Sequence, residues 1–113
     1  MKLSQLRHSE PQLLNFINPH TQEQTDISLM VYPLNSYVGN KAKHEAQLSK
    51  ISKDDSSQIA IEMFAKLVHS WDGVEDENGE PILCTFENVK KCFMDYEELL
   101  NAVYKFSDSL GKN

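Results

Sequence analysis

Five carboxylates, Asp72, Glu75, Asp76, Glu77 and Glu80, crowd the stretch between Trp71 and Pro81. Oxygen donors at that density could enclose a divalent cation, and an EF-hand loop is the obvious template. That loop takes ligands at positions 1, 3 and 5, a glycine at 6 and a bidentate glutamate at 12. With Gly79 in the glycine position, Asp76 and Asn78 fall on two of the ligand positions, but Val74 takes the entry position and Thr85 the bidentate one. A cation would lack its two most important ligands. The acids instead describe a solvated turn in which Asn78-Gly79 supplies positive φ.

Other chemistries fare no better. His8, His20, His44 and His69 are scattered, as are Cys84 and Cys92, with no Cys-x2-Cys or His-x3-His spacing for zinc. Two cysteines in a chain with no apolar leader at Met1-Lys2-Leu3-Ser4-Gln5 read as free thiols. Nucleophilic catalysis needs a Ser or Cys held by a base, and no Gly-x-Ser-x-Gly is present. The 4 glycines are too dispersed for a phosphate-cradling loop. The pairs Asp54-Asp55 and Glu97-Glu98 sit at expected helix starts, where capping accounts for them. The expectation is a protein that is not an enzyme and holds no metal or cofactor.

The elements that would position these residues form one domain over residues 1–113, a length close to the commonest domain size. Residues 1–11 are polar and end at Pro11, which reads as a flexible arm. Residues 12–33 read as a β-hairpin: Gln12 to Ile17 is apolar, Asn18-Pro19-His20-Thr21 is a turn, and Ile27, Leu29 and Val31 alternate with Ser28, Met30 and Tyr32. Residues 35–110 read as helical. Asn35 or Ser36 caps a helix from about Tyr37 to Ile51, which Gly39 weakens by roughly 1 kcal/mol. Asp55 with Gln58 makes a capping box for a helix over Ser57 to Ser70, whose stripe runs through Ile61, Phe64, Leu67, Val68 and Trp71. Thr85 caps a short helix over Phe86 to Phe93. Asp95 with Glu98 opens another, with Leu99, Val103, Phe106 and Leu110 on one face and Gly111 as its stop. The fold class is α+β: an N-terminal β-hairpin packed on about four α-helices, mainly helical.

A net charge of −6 argues against nucleic acid as a partner, and no apolar run is long enough to cross a membrane. The charge is polarised, with Lys41, Lys43, Lys50 and Lys53 in the middle and the acids between Asp72 and Glu87. That distribution suits contact between copies or with a charged partner. Trp71, Phe86, Phe93 and Tyr96 are candidates to rim an apolar groove for a partner segment, with Lys41, Lys43 and Lys50 meeting acidic surface on a neighbour.

Three short runs carry a family likeness. Pro19-His20-Thr21 with Thr25-Asp26 stands in the hairpin. Trp71-Asp72-Gly73-Val74-Glu75-Asp76-Glu77-Asn78-Gly79-Glu80-Pro81 forms the turn, and Thr85-Phe86-Glu87-Asn88 opens a helix. Their order resembles the tail assembly chaperones of long-tailed (siphovirus-type) bacteriophages and prophages, over most of the chain from Pro19 to Leu110. The chain departs from that pattern in its polar first eleven residues and in Cys84, where a small apolar residue is typical. The resemblance implies a non-enzymatic oligomeric chaperone in the host cytoplasm, absent from the mature virion. Its partners would be the phage tape-measure protein and, through a frameshifted longer form, the tail-tube protein. A structural minor tail or head-tail connector protein is the alternative.

Overall fold

The computed structural model describes residues 10–52 and 56–110, and the side chains of residues 49–57 fall outside that description. Among the described residues the order is β1 (Gln12–Ile17), β2 (Gln24–Val31), α1 (Tyr37–Ser52), α2 (Ser56–Ala65), β3 (Val68–Asp72), α3 (Phe86–Asp95) and α4 (Glu97–Leu110). The fold is α+β. The expected arm over residues 1–11, the Asp54-Asp55 cap, Lys53 and the Gly111 stop lie wholly or largely outside the described residues.

The hairpin forms where alternation places it. Ile27, Leu29 and Val31 point to the helices, Leu29 and Val31 with no exposed surface, while Leu13 and Ile17 of β1 face outward and stay half exposed. Such a period-2 pattern is what a half-buried antiparallel sheet requires. The turn of the hairpin is held by Asn18, whose Oδ1 accepts the N–H of His20 and whose carbonyl accepts that of Gln22.

The sheet has a third strand that sequence periodicity assigned to a helix. It is antiparallel throughout, in the order β1-β2-β3. The helix expected to run to Ser70 stops at Ala65, and the Leu67 N–H bonds the Phe64 carbonyl in one tight turn. The Leu67 carbonyl then accepts the N–H of Tyr32, which draws the chain onto the free edge of β2. There Trp71 pairs with Leu29 and Ser70 with Met30, and an extra residue, His69, bulges between the Ser70 and Val68 pairings. Trp71 therefore lies on the sheet beside Leu29, not at the end of a helical stripe.

Ser36 caps α1 from a fully buried position, its Oγ accepting the Gly39 N–H and donating to the Pro33 carbonyl. Gly39 is required there for space: a Cβ would sit 2.1 Å from the Leu34 carbonyl oxygen. Thr85 caps α3 through its Oγ1, which accepts the Asn88 N–H. The core gathers Leu29 and Val31 of the sheet with Phe64, Val89, Phe93, Leu99 and Val103 of the helices. The C-terminal half of α4 is tied back to the sheet exit, where the Leu34 N–H donates to the Ser107 carbonyl. Among the described residues no helix is long and apolar enough to cross a membrane.

Candidate functional site

The acidic segment after β3 is built as a small hairpin. Glu75 pairs across to Pro81, the Ile82 N–H donates to the Val74 carbonyl, and the Asp76 N–H to the Glu80 carbonyl. One carboxylate oxygen of Asp76 accepts the N–H groups of both Asn78 and Glu80, at 2.9 and 3.0 Å. This is the local side-chain-to-backbone bonding that makes Asp a turn residue. Gly79 closes the turn at φ 79°, as Asn78-Gly79 led one to expect. One oxygen of the Asp76 carboxylate thus shapes its own loop.

Two features anchor this loop to the sheet. Gly73 leaves β3 at φ 78° and passes so close to β2 that a Cβ would lie 2.1 Å from the Asp26 carbonyl oxygen. The Trp71 indole N–H donates to the Ile82 carbonyl at 2.8 Å, clamping the far arm of the hairpin. Asn88, on the first turn of α3, donates from Nδ2 to the Leu83 carbonyl. The loop is thus fixed at both ends and leans over the junction of α3 and α4, where the Tyr96 N–H bonds the Cys92 carbonyl and the Leu99 N–H that of Tyr96.

Between loop, sheet and helix junction lies a cleft of about 550 Å³. Phe16 and Ile27 of the sheet, Val74 and Ile82 of the loop, and Cys92 and Leu99 of the helices supply its apolar floor. Glu75, Asp76 and Glu77 rim one side and Asp95 and Glu98 another, with Lys91 the lone cation among the lining residues. Burial holds the Cys92 thiol above its ordinary pKa, with the nearby Asp95 charge adding to the effect. Burial does the same to Cys84. Both thiols are therefore poor nucleophiles, since the thiolate is the reactive form.

The aromatic candidates do not share one groove. Tyr96 lines the cleft and is 59% exposed. Trp71 supports the cleft through its bond to Ile82, with its ring packed against the core. Phe93 is 2% exposed and is a core residue that no partner can reach in this conformation. Phe86 faces a separate, shallower hollow of about 360 Å³ with Cys84 and Val89, and the Lys90 ammonium sits 5.0 Å from its ring centre. Lys41 and Lys43 lie on α1, away from the cleft lining, and Lys41 acts on Glu45. Lys50 is on α1 too, but its side chain is outside the described residues. Phe16, Ile27, Ile82, Lys91 and Asp95 were not anticipated as site residues. Sheet and helix junction meet here through the packing of α4 on β1 and β2.

A family model described as YdaY prophage protein matches residues 34–113, which take in every cleft-lining residue except Phe16 and Ile27. No curated protein and no solved structure matches the chain. The match spans well over half of the sequence, and the chain belongs to the YdaY prophage protein family.

Proposed function

We propose that this prophage protein is a non-enzymatic tail assembly chaperone, which binds the tape-measure protein and helps to recruit tail-tube subunits during tail morphogenesis. The observation that carries the reading is the open apolar cleft between the acidic loop and the α3–α4 junction. A long helical client presents apolar side chains that aggregate when unshielded, and a reversible binder must offer exposed apolar surface rimmed by polar groups. The side chains around the cleft offer apolar contact and charge but no activated nucleophile, consistent with a binding role. Prophage family membership and the order of the hairpin, turn and helix-start motifs point the same way. Self-association would multiply weak single contacts along a repetitive client.

The test is co-expression with the long helical tail protein encoded in the same prophage. The expected result is a soluble complex that co-purifies and is lost when Tyr96→Asp is placed in the cleft. Unchanged client solubility with no complex would overturn the proposal, as would finding the chain as a stoichiometric component of purified virions.

A further inference from the structure

The charge around the cleft names the chemistry of its occupant. Carboxylates from Glu75, Asp76 and Glu77 on the loop face those of Asp95 and Glu98 at the helix junction, against a single ammonium on Lys91. The flanking side chains are exposed and hydrated around an apolar floor. The cleft is open, and its volume of about 550 Å³ is room for a few side chains of a segment laid across it. We infer that this cleft docks a basic amphipathic segment of a partner polypeptide, its apolar side chains on the floor and its lysines or arginines against the two acidic rims. This rests on the reading of the cleft as a polypeptide-binding site and adds the sign of charge that the client must carry.

The division of labour follows from the position of the groups. Apolar contact on the floor supplies affinity, while solvent-exposed rim charges contribute little each, are screened by salt, and mainly select the partner and speed its approach. An acidic segment would bring like charges against both rims. A neutral one would fit the floor without selection. The Asp76 oxygen that holds the turn leaves the other rim carboxylates free of that structural duty.

The probe is a fluorescently labelled amphipathic peptide of about 18 residues with leucines at helical spacing and lysines flanking them, beside siblings carrying glutamine or glutamate instead. Binding is read by anisotropy in low and high salt. The lysine peptide should bind roughly tenfold or more tightly than the glutamine one, and lose that advantage in high salt. The glutamate peptide should not bind. Glu75→Gln with Asp95→Asn and Glu98→Gln should erase the preference. An equal neutralisation at Glu10, Glu23 and Glu87, which do not line the cleft, should leave it intact. Circular dichroism melts establish that both triple variants are folded. Equal binding of the three peptides, or equal loss in both triple variants, overturns the inference. If the cleft triple variant still solubilises the helical client as well as the parent does, charge selection fails while the chaperone reading stands. If the lysine peptide binds selectively and the client does not, the chaperone reading fails and the docking chemistry stands.

Discussion

Replacing Gly73 by alanine, with Gly79→Ala as its partner experiment, separates two costs that usually occur together. Both glycines hold almost the same positive φ, 78° and 79°. A Cβ in that region costs roughly 1 kcal/mol at either site. Their surroundings differ completely. At Gly79 the nearest foreign atom to the new methyl is Glu75 Oε2 at 3.8 Å, ordinary contact with a flexible side chain. At Gly73 it would meet the Asp26 carbonyl oxygen at 2.1 Å and the carbonyl carbon at 2.7 Å, both backbone. Comfortable separation is about 3.5 Å, so strand β3 and its exit must move off β2 by more than an ångström. Forced displacements of that kind cost about 1–3 kcal/mol on top of the φ term. Gly79→Ala should therefore destabilise by about 1 kcal/mol and Gly73→Ala by about 3 kcal/mol. In a chain of this size the two losses correspond to roughly 4 °C and 12 °C in Tm. Urea unfolding followed by circular dichroism measures both, with the m-value as a check that the folded state stays compact. If the two variants lie within about 0.5 kcal/mol of each other, the close approach of Gly73 to Asp26 does not hold the loop in place and the account of the cleft's near wall is wrong.

Two further outcomes are expected. Gly39→Ala should destabilise by about 2 kcal/mol in chemical denaturation, although alanine is the better helix former by roughly 1 kcal/mol, because its Cβ would meet the Leu34 and Pro33 carbonyl oxygens at 2.1 and 2.6 Å. Glu45 sits below its ordinary pKa of 4.5, chiefly through its hydrogen bond to the Lys66 ammonium and their mutual charge, with Lys41 and His44 adding to it. Because the folded-state pKa is the lower one, this pair adds stability above the ordinary value and loses it as pH falls through the folded value. The stability gap between parent and Glu45→Gln should thus be open near neutral pH and close in acid, and salt should narrow it.

Much of the architecture could be read from local chemistry. The β1–β2 hairpin announced itself through alternation at Ile27, Leu29 and Val31, and α1 and α3 through side-chain caps at Ser36 and Thr85 that bond as expected. The loop was legible because Asp76 and Gly79 are turn residues for local reasons. The strand β3 was not. Leu67, Val68 and Trp71 repeat at helical spacing after Phe64, and nothing local distinguishes that stripe from a continuing helix. What decides the matter is distant in sequence: the open edge of β2 takes up the segment through Tyr32 and Leu67, and Trp71 pairs with Leu29 and packs half-buried against the core. Tertiary hydrogen bonding outweighs propensity there. The site followed the same rule. Tyr96 could be picked out as a binding candidate, but Phe16, Ile27 and Ile82 join it only through the tertiary packing of sheet and loop on the helix junction. Phe93 is buried, and its sequence pattern does not show this because an aromatic near the end of a short amphipathic helix reads the same whether its face meets solvent or the core.

The indole clamp on Ile82 has an optical consequence. The chain contains one tryptophan, and its N–H is bonded to the carbonyl of a residue that itself lines the cleft. Tryptophan emission depends on the polarity and hydrogen bonding around the indole, so the protein carries a built-in fluorophore at the hinge of its acidic loop. Any occupant that lifts or tightens the loop alters the setting of that ring. Occupancy of the cleft by a tryptophan-free peptide can be followed in the purified, unlabelled protein, at equilibrium or in a stopped-flow cell, without placing a dye on the surface whose charge does the selecting.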